Sequence, residues 1–293
     1  MTLKKLYSKF TFSITTFNYN YHSHFSRKLL SIDYFIFMKT IILAGGLGTR
    51  LSEETHLRPK PMVEIGGMPI LWHLMKWYAS YGYKEFVVAL GYKGEVIKEF
   101  FYNYKLHKSD MLIELSSGLA HYENDLSEDW KISLLDTGQN TLTGGRLLRL
   151  KKLFNPGDTF MLTYGDGLSN VDIKNLVNFH KDHGKLATIT SVRPPARFGS
   201  ITMDDNNCIT EFKEKPQIGE GWINGGFFVF NYGIFNYLEN DTTILEKDPL
   251  EKLALDNELV AYKHSGFWQC MDTIRDRDSL NEIWNTGTPP WSR

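Results

Sequence analysis

The stretch that most limits what this chain can become is residues 39–69, KTIILAGGLGTRLSEETHLRPKPMVEIGGMP. Thr40–Ala44 is a short apolar run with β-branched residues, and Gly45-Gly46 ends it, the pattern of a buried strand delivering a loop. The loop Gly45–Arg50 is rich in glycine and closes on a cation. Glycine lets backbone amides close in on an anion, and the Arg50 guanidinium offers a planar fork for phosphate oxygens. Further on, Lys60 stands between Pro59 and Pro61, whose rings hold the local backbone extended. Two cations and a glycine loop predict a polyphosphate site.

The common phosphate loops do not fit. The spacing GxxxxGK[ST] is absent, and Gly46-x-Gly48 is followed by Thr49, Arg50 and Leu51, so GxGxxG is absent too. A glycine-rich turn after a strand can be purely structural. Arg50 and the Pro-Lys-Pro step favour the anion site.

Beyond this stretch, strands and helices alternate. Helices are predicted at Pro69–Tyr81, Glu95–Tyr104 and Asp172–His183, and strands at Phe86–Leu90, Met111–Leu115, Ile132–Leu135, Thr159–Tyr164 and Ala187–Val192. That alternation predicts an α/β fold with a mainly parallel sheet, Rossmann-like. After Arg193-Pro194-Pro195 the texture changes to a hairpin, Ser200–Met203 with Cys208–Lys213. A long strand at Trp222–Phe230 follows, then helical segments near Pro249–Asp256 and Ile274–Asn285 around two short strands, together a smaller β subregion. No linker or repeat divides residues 38–293, read as one domain. Residues 1–37 differ: up to Ile32 there are five Lys or Arg and no Asp or Glu. Such a start can be a transit peptide; the favoured reading is translation from Met38, or a disordered tail.

Charge and apolar content narrow the classes. A net charge of −1 gives no support for a nucleic-acid binder, and no apolar run reaches membrane-spanning length. Cys208 and Cys270 form no CxxC pair and read as thiols of a reducing, cytoplasmic setting, although one disulfide stays open.

LAGGLGTRL, PKPM and IGGMPI resemble the opening of the sugar-1-phosphate nucleotidyltransferases. The wording around Glu53-Glu54-Thr55 and Val63–Gly67 is similar to the cytidylyl-transferring members, and the likeness runs from about Met38 to Trp291. The resemblance implies Mg²⁺-assisted attack of α-D-glucose 1-phosphate on CTP, giving CDP-glucose and pyrophosphate, with UTP or dTTP, or a silent paralogue, as alternatives. It further implies a homo-oligomer, a hexamer in these members, and a place in making lipopolysaccharide O-antigen sugars.

Candidate site residues fall at predicted strand ends, where open α/β sheets bind ligands. Leu43, Ala44, Gly45, Gly46, Leu47, Gly48, Thr49, Arg50 and Lys60 belong to the first loop, and Asp166 sits in Tyr164-Gly165-Asp166-Gly167. A carboxylate there suits a hard cation, though Asp-Gly also serves ordinary turns. By resemblance Asp166 and Asp272 bind the metal, Thr141 and Arg146 contact the nucleotide, and Tyr164, Gly199, Glu214, Lys215 and Asn224 line the sugar-phosphate side. Arg50, Lys60 and Lys215 carry the catalytic charges. His180 and His183 read as the solvated end of a helix, Trp222 and Trp268 as packing, and Asp276-Arg277-Asp278 as helix rather than a glycosyltransferase Asp-x-Asp.

Overall fold

Thr40–Ala44 forms β1 and is buried at every position. A strand apolar on both sides belongs inside a parallel sheet covered on both faces. The computed structural model, which describes residues 38–194, 200–203, 208–213 and 221–293, puts it there. Glu85–Leu90 (β2) and then Lys131–Asp136 (β3) continue the sheet on one side, both parallel. On the other side Thr159–Tyr164 (β4) pairs with β1 in parallel. Ala187–Val192 (β5), Ile223–Asn231 (β6) and Leu259–His264 (β7) complete a seven-stranded sheet in the order β7-β5-β6-β4-β1-β2-β3. Only β6 runs against its neighbours. The mainly parallel α/β sheet is as expected.

The helices form where the sequence starts and stops them. Pro69, at φ −54°, leads into α1, Ile70–Ser80. Then come α2, Gly94–Tyr102, followed after Asn103 by the short helix Tyr104–Lys108, and α3, Thr143–Arg149. In α4, Ile173–His183, the Asp172 side chain accepts from the Asn175 N–H and Gly184 closes the end at φ 66°. The last two are α5, Asp248–Leu255, and α6, Ile274–Asn285. Leu147 and Leu150 at the end of α3, and Leu250 and Leu253 of α5, pack on Ile41, Leu162, Phe160, Phe228 and Phe230 of the sheet. Each such burial contributes roughly 1.5–3 kcal/mol.

Two expectations need correction. His180 does not end a solvated helix; it is 1% exposed. Its Nδ1 lies 2.8 Å from Thr188 Oγ1 on β5, and His183 Nε2 lies 2.7 Å from the same oxygen. The helix end is turned onto the sheet, and burial pushes the His180 pKa down to about 4. The strand near Met111–Leu115 forms as Asp110–Glu114 but stays outside the main sheet. It pairs with Leu119–Glu123 in a hairpin exposed along both strands, turned at Gly118 with φ 71°. Ser200–Met203 and Ile209–Lys213 pair as expected; the turn read at Asp204–Asn207, and residues 1–37, lie outside the described residues.

Candidate active site

The carboxyl ends of β1 and β4 open on a cavity of about 640 Å³. Leu43, Ala44, Gly45, Gly46, Gly48, Thr49, Lys60, Thr141, Arg146, Tyr164, Asp166, Asn224 and Asp272 all line it. Leu47 is 53% exposed instead. The side chain of Arg50, and Gly199, Glu214 and Lys215, lie outside the described residues.

Backbone pairing brings the two aspartates together. The Gly165 N–H donates to Leu43 O, which seats the Tyr164–Gly167 turn beside the first loop. The short strand Gly167–Ser169 pairs with Trp268–Cys270, and the Met271 N–H donates to Asp166 O. Asp272 therefore follows directly. Its own N–H is held by the Asp276 carboxylate, which with Thr273 caps α6. Asp276 thus serves a helix start, as the sequence reading had it. Lys60 is not extended as expected: Lys60–Met62 closes a 3-10 turn after the extended Pro59, and from it Nζ lies 2.5 Å from Asp166 Oδ2 and 2.6 Å from Asp272 Oδ1. Burial works against the ammonium, but Asp166 and then Asp272 outweigh it and raise the Lys60 pKa.

Arg146 does something different. Its guanidinium donates to Leu90 O, Thr137 Oγ1 and Gly138 O at 2.8–2.9 Å, to Gly45 O at 3.0 Å and to Gln139 O at 3.2 Å. Those acceptors belong to the first loop, the end of β2 and the loop after β3, so one side chain ties three segments together beside the cavity. Gly45 has to be glycine, because a Cβ there would overlap the guanidinium. The sequence reading gave Arg146 to the nucleotide; the geometry gives most of its hydrogen-bonding capacity to the frame.

Several residues at the site have no signal in the sequence. Glu246 accepts from Tyr164 OH and, at 2.6 Å, from Thr143 Oγ1. Cys270, read only as a reduced thiol, lines the cavity, and its thiol is pushed up to about 11 by burial and then by Asp272. Trp268, read as packing, lines the cavity and donates to Gly225 O at 2.7 Å. Trp222 lies beneath Arg193, 4.9 Å from the ring centre, and Lys263, at 5.6 Å.

Residues 39–273 match the family described as nucleotidyl transferase. The chain belongs to that family. It is 49% identical over 254 residues to a glucose-1-phosphate cytidylyltransferase of Salmonella typhi, covering 87% of this chain and 98% of the relative. Against a probable glucose-1-phosphate cytidylyltransferase of Bacillus subtilis it is 45% identical, covering 87% and 99%. A solved structure titled as a putative glucose-1-phosphate thymidylyltransferase from Bacillus anthracis, in complex with a sucrose, superposes with TM-score 0.62 at 18% identity over 84% of this chain and 94% of that one. It shares the fold. Among the described residues no helix is long and apolar enough to cross a membrane.

The donor set suits a hard divalent cation. Asp166 and Asp272 present carboxylate oxygens to one point, now met by Lys60 Nζ. Two carboxylates with substrate oxygens are the usual company of Mg²⁺.

Proposed function

We propose that this chain transfers a cytidylyl group from CTP to α-D-glucose 1-phosphate, giving CDP-glucose and pyrophosphate. The observation that carries the reading is the meeting of Lys60, Asp166 and Asp272 on a cavity that the Gly45–Thr49 loop also lines. The 49% identity to a relative of that name supports the choice of substrates.

The sugar phosphate oxygen attacks the α-phosphorus in line and pyrophosphate leaves. The nucleophile is ionised near neutral pH, so the site has no call for a general base. Its work is positioning and charge neutralisation. Amides of Gly45–Thr49 and the Arg50 guanidinium hold the β- and γ-phosphates, and Lys60 neutralises the reacting phosphates. Thr141 faces the nucleotide, while Glu214, Asn224 and Gly199 meet sugar hydroxyls and Lys215 the sugar phosphate. Mg²⁺, when held by Asp166 and Asp272, supplies charge to stabilise the leaving group. On this reading the catalytic domain is residues 38–293, acting in the cytoplasm as a homo-oligomer.

The test is ³¹P NMR of the products from glucose 1-phosphate with CTP, UTP or dTTP in turn. A CDP-sugar and pyrophosphate, formed far faster than the other two nucleotides react, is the expected result. Preference for UTP or dTTP discards the base assignment, and no product with any of the three discards the reaction.

A further inference from the structure

The loop Asp241–Glu246 is bound to the start of α3 at every turn. The Leu142 N–H donates to Asp241 O, those of Gly144 and Gly145 to Thr243 O, and that of Leu245 to Thr143 Oγ1. The fit is close enough to dictate sequence: a Cβ on Gly145 would overlap the Asp241 carbonyl. The Gly144-Gly145 pair, between the Thr141 and Arg146 that resemblance gives to the nucleotide, is a seat for a second loop.

What that seat delivers is the Glu246 carboxylate. One oxygen accepts from Thr143 Oγ1 and the other from Tyr164 OH. A phenol has a single proton. With that proton committed to Glu246, the Tyr164 oxygen can only accept from anything else it meets. It already does so from Asn224 Nδ2, at 3.2 Å. The Asn224 amide is turned in consequence, its Oδ1 accepting the Gly226 N–H at 2.8 Å. Tyr164 and Asn224 both line the cavity.

We propose that Glu246 is a positioning residue for the sugar: anchored by Thr143, it fixes the Tyr164 oxygen as an acceptor and so selects a sugar hydroxyl, a donor, on that wall. This rests on the proposed use of a sugar 1-phosphate. Glu246 touches no substrate itself and acts through Tyr164.

The experiment is steady-state kinetics of wild type, Glu246→Ala, Glu246→Gln, Tyr164→Phe and the Ala/Phe double variant, with thermal melts of each. Glu246→Ala is expected to raise KM for glucose 1-phosphate about tenfold, the upper end for one neutral hydrogen bond, here between the Tyr164 oxygen and a sugar hydroxyl, and to change KM for CTP less than twofold. In the Tyr164→Phe background the same substitution adds nothing. Glu246→Gln recovers most of the loss, because its amide oxygen still accepts from Tyr164 while its N–H₂ donates to Thr143 Oγ1. Additive losses in the double variant, equal rises in both KM values, a lowered melting temperature with unchanged KM, or a Gln variant as poor as Ala would each overturn the proposal. A wild type that works only with another sugar 1-phosphate corrects the substrate, and the five proteins are compared on that sugar. A wild type active with none of them overturns the proposed function and this inference together.

Discussion

Two cations line the same cavity and are held in opposite ways. Arg146 is 4% exposed and surrounded by four carbonyls and a hydroxyl, with no carboxylate among its hydrogen-bond partners. Lys60 sits between two carboxylates. Dipoles that converge on a charge make a joint: Leu90 O and Gly45 O accept from the guanidinium beside the Thr137 and Tyr92 N–H groups, Gly138 O and Gln139 O accept from it as well, and the guanidinium has no reason to leave. Two full negative charges around one ammonium make a balance that a stronger cation can take over. One cation therefore builds the site and the other is available to work in it.

The largest expected effect breaks the first of these. Arg146→Met leaves Gly138 O, Gln139 O and Thr137 Oγ1 short of a donor, at about 1–3 kcal/mol each before relaxation and roughly 3–5 kcal/mol together. Urea titration reads it; a stability within 1 kcal/mol of wild type would show that the three segments hold without the joint.

A buried base among neutral partners extends the comparison. His180 has a single hydroxyl within reach of Nδ1, too little to keep a proton, and burial pushes its pKa down to about 4 from 6.5. The unfolded chain takes up a proton below about pH 6.5 that the folded chain refuses. Stability is therefore full above that pH and is lost as pH falls toward 4, by roughly 3 kcal/mol for this group. His73, His183 and His264 are lowered as well, each first by burial. Urea midpoints from pH 7.5 to 4.5 should fall, with a shallower slope in His180→Asn; equal slopes would remove His180 from the account.

The smallest effect concerns the frame beside Arg146. Gly145→Ala gains up to about 1 kcal/mol in an ordinary helix, but its Cβ meets the Asp241 backbone carbonyl. Overpacking of that kind costs about 1–3 kcal/mol, so a net loss is expected in a thermal melt. A gain would show that the 241–246 loop yields easily.

Legibility followed the same division. Lys60 and the first loop could be read because their chemistry is local: a strand, glycines, a cation between prolines; Asp166, in an Asp-Gly that also suits an ordinary turn, was named for the metal by resemblance. Asp272 was named by resemblance; its meeting with Asp166 depends on the pairing of Trp268–Cys270 with Gly167–Ser169, which no short pattern records. Arg146 was given a nucleotide contact by resemblance; its part in the frame was not legible, because its five acceptors are scattered along the chain and only the fold gathers them. Glu246 lies in Ile244-Leu245-Glu246-Lys247, which carries no motif at all. The sheet was legible from alternating apolar runs. The exposed Asp110–Glu123 hairpin was half missed, because its strands lack the buried face that makes alternation readable.

The most direct test of the central claim is single-turnover pyrophosphate release by Lys60→Met at saturating CTP and glucose 1-phosphate, with its melting temperature recorded alongside. The account predicts a folded protein with the rate down roughly 10²–10³-fold, about 2–4 kcal/mol of transition-state stabilisation. A wild-type rate from this variant would contradict it, and would make Lys60, like Arg146, part of the frame.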